Sequence, residues 1–129
     1  MRVLGLLLVL IALPVHGRAN PSDAGAIPIE YLLDSAAADF RAHPPQALAF
    51  RKVYFGQLES EGRIQYEICG EFQVAKAGGK KEWLHFATIK TSGYEQYIGA
   101  QASDFCTREG MSWDEDDWGA ELFRRYRKG

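Results

Sequence analysis

The sequence predicts an α+β fold: an antiparallel β-meander of three to four strands, flanked by an N-terminal and a C-terminal helix and stapled by one disulfide. Three observations carry this prediction. Residues 63–74 (RIQYEICGEFQV) alternate, with Ile64, Tyr66, Ile68, Phe72 and Val74 on one face and Arg63, Gln65, Glu67, Glu71 and Gln73 on the other, the period of a half-buried strand. Two further runs rich in aromatic and branched residues, 48–55 and 82–89, are joined to it by short polar or glycine-containing segments, as in a meander. Apolar stripes at helical spacing lie before and after this region.

The elements follow in order. Residues 1–19 have one basic residue at Arg2, an apolar run from Val3 to Val15, and small residues at Gly17 and Ala19, the layout of a secretory signal peptide. The run is shorter than the roughly 20 residues of a membrane span, so no span is expected after cleavage. Residues 20–26 read as a flexible lead-in and 27–129 as one small α+β domain. In 27–43, Pro28 suits a first helical turn, and Ile29, Leu32, Leu33, Ala36, Ala37 and Phe40 form the apolar stripe. Pro44 and Pro45 end the helix.

In 48–55, Leu48 and Phe50 share one parity and Val53 and Phe55 the other. A bulge at Arg51–Lys52 would put all four on the core side. Residues 57–62 read as a hairpin loop, and Gly78–Gly79 as a second turn. Residues 82–89 carry apolar groups on both parities, so that strand is expected to be covered on both faces. Residues 94–98 read as a fourth short strand or an ordered loop, and 101–110 carry no clear periodicity. At the C-terminus, Ser112 and Glu115 match a capping box. The acidic run Asp114, Glu115, Asp116 and Asp117 then precedes Trp118, Leu122 and Tyr126 at four-residue spacing, which predicts a helix over 112–128 with its charges matched to the helix dipole.

Cys69 lies in the polar register directly before Gly70. Either that face is locally covered or a bulge at Gly70 re-aims the chain. Cys69 and Cys106 are the two cysteines of the chain, and in an exported protein they are expected to pair. The predicted compartment is the periplasm or beyond.

The chain has 15 basic and 17 acidic residues. Loss of Arg2 and Arg18 with the signal peptide leaves 13 against 17, a formal charge of −4, which gives no footing for nucleic acid. No cofactor motif, phosphate loop or metal-ligand spacing is present, so no catalytic residue and no metal ligand is assigned. His85, with Glu71 and Glu82 in cross-strand reach, is the one acid/base candidate. Tyr94, Tyr97, Trp113 and Trp118 flank Cys106 in sequence and are the candidate binding residues, because Tyr and Trp bring large contact area with few rotors to freeze.

The order of Phe50-x-x-Val53, a hairpin, Cys69-Gly70-Glu71, the Gly78–Gly79 turn, a strand containing Phe86 and a later cysteine resembles a group of small exported bacterial proteins of uncharacterised function. The resemblance covers about residues 39–86. It departs at Phe72-Gln73-Val74 and Lys80-Lys81, where that group carries asparagines and a tyrosine. It implies a fold and a compartment and carries no activity. Together these readings predict a non-enzymatic binding module, such as an inhibitor or immunity-type protein of the bacterial envelope, whose partner is another envelope or secreted protein. The alternative is a small periplasmic hydrolase with a site around His85.

Overall fold

The alternation around Cys69 becomes the central strand of a five-stranded antiparallel sheet in the computed structural model, which describes residues 26–129. The signal peptide and all but the last residue of the lead-in lie outside the described residues. Helix α1 (Ala26–Ala42) leads into β1 (Ala49–Ser60), β2 (Arg63–Ala75), β3 (Lys81–Lys90) and β4 (Tyr94–Ile98). These are followed by helix α2 (Ala100–Cys106), a two-residue strand β5 (Ser112–Trp113) and helix α3 (Gly119–Lys128). The sheet order is β4-β3-β2-β1-β5. Among the described residues no helix is long and apolar enough to cross a membrane.

Helices α1 and α3 pack on one face of the sheet. The stripe predicted for α1 is the core: Leu32, Leu33, Ala36, Ala37 and Phe40 are buried with Phe50, Val53, Phe55, Ile68, Phe72, Val74, Phe86 and Leu122. The Phe40 ring lies 5.0, 4.8 and 5.2 Å from those of Phe50, Phe72 and Phe86, distances at which aromatic pairs contribute beyond their buried area. Gly70 belongs to this face. A Cβ there would stand 2.7 Å from Val53 Cγ2 and 2.8 Å from Phe86 Cε1, so the missing side chain is what lets the Phe86 ring lie against β2. Arg125 joins the two helices, reaching Asp34 and Glu121 at 2.9 Å and Glu30 as well.

The bulge expected in β1 is present. Arg51 pairs with Glu71 and Tyr54 with Cys69, so one extra residue is accommodated, and Lys52 takes a positive φ of 52°. The switch keeps Phe50, Val53 and Phe55 on the core side. Leu48 and Ile64, also expected in the core, are 37% and 50% exposed; they lie toward strand ends. The hairpin loop is shorter than the six residues expected. Pairing continues to Ser60–Arg63, and Glu61 and Gly62, at φ 53° and 74°, form a two-residue turn of the type whose twist matches the strands.

The C-terminal helix begins later than the capping signal implies. Ser112 and Trp113 pair with Gln57 and Gly56. The backbone amides of Asp114 and Trp118 then donate to the carbonyls of Phe55 (2.8 Å) and Val53 (2.7 Å). Residues 112–118 therefore extend the β1 edge, and this tertiary pairing overrides a local propensity worth only about 1 kcal/mol. Trp118 sits at the N-cap rather than in the helical stripe.

Asp117 has a more specific role than dipole matching. Its carboxylate accepts from the backbone amides of Lys52, Val53 and Gly119, each at 2.9 Å, so one side chain satisfies the bulge and the first turn of α3 together. Gly119 fits there because a Cβ would meet the Phe50 carbonyl oxygen at 2.9 Å. Asp117→Ala is expected to cost about 2 kcal/mol in urea unfolding, since hydrogen bonds to a charged acceptor are the stronger kind. Asp116→Asn, one exposed charge in the same run, is expected to cost well under 1 kcal/mol.

Candidate functional site

The second face of the sheet carries the odd-numbered residues of β2. Cys69 and Cys106 are disulfide-bonded, with Cα atoms 5.9 Å apart. The bond brings α2 down onto β3 and β4, so local cover explains a cysteine in a polar register. The β2–β3 pairing runs without interruption from Glu67–Ile89 to Ala75–Lys81, so Gly70 makes no bulge in that pairing. Ala87 and Ala102 are buried around the disulfide, and Tyr97, Phe105 and Cys106 pack against them. Strand β3 is thus covered on both sides from Phe86 to Ile89, while His85 earlier in the strand is exposed on this face, so the cover its composition implied is reached in part.

Helix α2 covers only part of this face. Between it and the 112–113 edge runs an open groove of about 310 Å³ lined by Lys52, Tyr54, Cys69, Gly70, Glu71, His85, Cys106 and Trp113. The floor is assembled across strands: Tyr54 stands opposite Cys69, and Glu71 opposite His85. The Trp113 wall depends on Gly56, where a Cβ would meet Trp113 Cζ3 at 2.6 Å and Met111 Cε at 2.7 Å. Any larger residue would push the indole and Met111 off the sheet. At the other end Glu71 accepts from Arg51 Nε at 2.9 Å and lies 3.8 Å from Lys52 Nζ. The Arg51 guanidinium also lies 3.9 Å over the Trp83 ring, which fixes its plane.

The four aromatic residues singled out in the sequence do not share one surface. Trp113 is 38% exposed and lines the groove. Tyr97 is on the same face of the sheet, packed against Phe105 with ring centroids 4.4 Å apart and planes tilted by 33°, and its hydroxyl donates to Glu95 at 2.7 Å. Tyr94 is on the opposite face, where its hydroxyl donates to Asp39 of α1 at 3.0 Å. Burial and that bond raise its pKa. Trp118 packs against the main core. Proximity in sequence failed as a guide because alternate residues of β4 face opposite ways, and residues 113 and 118 sit on either side of the edge they extend.

His85 enters the groove, but Glu82 does not join it. Glu82 has the parity of Leu84 and Phe86 and pairs with Lys76 at 2.8 Å. Among the described residues no cluster of three or more potential metal ligands occurs. The groove lining brings no serine or threonine hydroxyl beside His85, and both cysteines are in the disulfide. Tyr54 and Lys52 were not anticipated from the sequence. The legible signal for Tyr54 was the register itself, since a bulge at Arg51–Lys52 places it across from Cys69.

A further unanticipated group lies behind the disulfide. Glu67, on the nominally polar face, is only 1% exposed. Its Oε1 is 3.8 Å from Cys69 Sγ, and Oε2 has no hydrogen-bond partner among the described residues. Burial pushes the carboxyl up to about 7, because removing water disfavours the charged form. The opposing pull comes from Arg108, held at Gln65 Oε1 by a 3.2 Å bond and lying 4.3 Å over the Phe105 ring.

No protein-family model matches the chain, and no curated protein or solved structure matches it.

Proposed function

We propose that this protein is an exported, non-enzymatic binding module whose recognition surface is the groove beside the Cys69–Cys106 disulfide. The observation that carries this reading is the groove's construction. Tyr54 and Trp113 offer apolar walls, a covalent crosslink holds the floor, and Lys52, Arg51, Glu71 and His85 supply charge and hydrogen bonds at one end. A preformed apolar site with a few placed polar groups lowers the ordering cost of association. The Lys52 side chain is 64% exposed and Glu71 is already claimed by Arg51, so the free charge at that end is positive. The fitting partner is a second exported protein presenting an apolar side chain next to a carboxylate, as an inhibitor or immunity-type protein would meet. The disulfide supports an oxidising compartment, and the signal-peptide reading of residues 1–19 points the same way, to the periplasm or the exterior.

The hydrolase reading has His85 and Glu71 facing each other in the same groove. Glu71 is held by a guanidinium, and no serine, threonine or free cysteine accompanies the imidazole in the groove lining among the described residues, so binding is the better account.

Capture from envelope extract with the mature protein as bait tests the reading. Trp113→Ala and Tyr54→Ala are each expected to weaken capture of the partner by roughly 30-fold, the effect of removing an aromatic anchor worth about 2 kcal/mol. Arg127→Ala on α3 is expected to leave it unchanged. A partner retained equally by all three variants, with their folds intact by circular dichroism, would remove the groove from the account.

A further inference from the structure

The two sulfurs of the disulfide occupy unlike positions. Both line the groove, but Cys106 is partly exposed at the end of α2, whereas Cys69 is 7% exposed and has the Glu67 carboxyl beside it. Disulfide exchange needs access for a thiolate to one sulfur and departure of the other. The more exposed sulfur is reached from solvent through the groove, and the other leaves beside Glu67 Oε1, 3.8 Å away, on a carboxyl whose Oε2 has no hydrogen-bond partner among the described residues.

The geometry points to Cys106 as a thiol-exchange site, with Glu67 as the internal proton donor to the departing Cys69. A thiolate entering the groove, from a small thiol or a protein cysteine, attacks Cys106 Sγ. A new sulfur–sulfur bond forms there and the Cys69–Cys106 bond breaks, so the incoming thiol is oxidised to a mixed disulfide and Cys69 is reduced. The electron pair released onto Cys69 Sγ takes the proton of the Glu67 carboxyl, leaving a neutral Cys69 thiol and a Glu67 carboxylate. A second thiolate that attacks the mixed disulfide releases Cys106 and completes the reduction. Lys52 and His85 line the approach, and the Lys52 ammonium favours an incoming anion. A carboxyl that keeps its proton to about pH 7 serves such a step, because a leaving thiolate departs faster when its charge is neutralised. The inference needs only that the groove admit a thiolate, so it stands or falls separately from the binding reading.

The test uses the oxidised protein and glutathione without denaturant, quenched in acid and mapped by mass spectrometry. The expected product carries glutathione on Cys106 with a free thiol at Cys69. Glutathione on Cys69, or no adduct until denaturant is added, overturns the proposal. The pH profile isolates Glu67. Divided by the concentration of glutathione thiolate, the wild-type rate is expected to fall by up to roughly tenfold between about pH 6 and about pH 8. In Glu67→Gln the same quotient is expected to be flat and lower at the acid end. Identical profiles in the two proteins overturn the proton-donor role. Should Glu67→Gln fail to fold, a flat quotient in the wild type overturns it alone.

Discussion

Cys69→Ala and Cys106→Ala are each expected to lower the free energy of unfolding by about 4 kcal/mol, with the double variant little worse than either. The magnitude is that of closing a loop across the 37-residue separation of the two cysteines in the chain-entropy description. The near-identity of the three variants follows because each removes the same bond. The loss is large against the about 5 to 15 kcal/mol that holds a typical domain together. Its structural site is predictable too. Helix α2 has seven residues, of which Ala102 is buried, and a helix that short does not persist without tertiary anchoring. Urea unfolding of the three variants and of the reduced wild type measures this. Single-variant costs below about 1 kcal/mol, or costs that add in the double variant, would show that α2 is held by packing and the disulfide is incidental.

The second large effect is a pH dependence set by Glu67. Its carboxyl is raised by burial from an ordinary 4.5 to about 7 in the folded protein, so the folded state binds this proton more tightly than the unfolded chain. Stability is therefore highest below about pH 4.5 as far as this group is concerned, declines as pH rises through the window from 4.5 to 7, and is lower by up to roughly 3 kcal/mol above it. The wild type should melt at a lower temperature at about pH 8 than at about pH 5, and Glu67→Gln should remove most of that difference. A variant with the same slope as the wild type would place the titrating group elsewhere.

Much of the fold was readable because its determinants are local or pairwise. The α1 stripe, the alternation of β2, the Gly78–Gly79 turn and the β1 bulge each follow from residues within a few positions of one another. The disulfide followed from there being two cysteines, and of the two readings of Cys69 in the polar register it is local cover, by α2, that holds. What escaped was set by long-range pairing. Ser112 and Glu115 look like a helix start, yet 112–118 is drawn out along β1 by bonds to Phe55 and Val53, and its acidic run contributes one structural carboxylate, Asp117. Helix α2 was illegible because seven residues span barely two turns. Glu67 was assigned to solvent by its type, while its burial depends on α2 and the segment after it folding back over Cys69.

The candidate site was legible in part for the same reason. His85, Glu71 and the disulfide lie on one face by strand parity, and that much was available from alternation. The grouping of Tyr94, Tyr97, Trp113 and Trp118 came from sequence distance, which carries no information about which side of a sheet a side chain takes. Gly56 shows the point from the other direction. In the sequence it falls between the predicted strand 48–55 and the predicted loop 57–62, and only the return of 112–113 to the β1 edge reveals that it makes room for the indole that walls the groove.

Site-specific photo-crosslinking in exported material addresses the groove most directly. A photoreactive phenylalanine analogue is placed at Trp113 in one variant and at the exposed Ile64 in another. The account predicts an adduct with a second exported protein from position 113 and none from position 64. An adduct from position 64 with none from position 113 would contradict it, placing the recognition surface away from the disulfide.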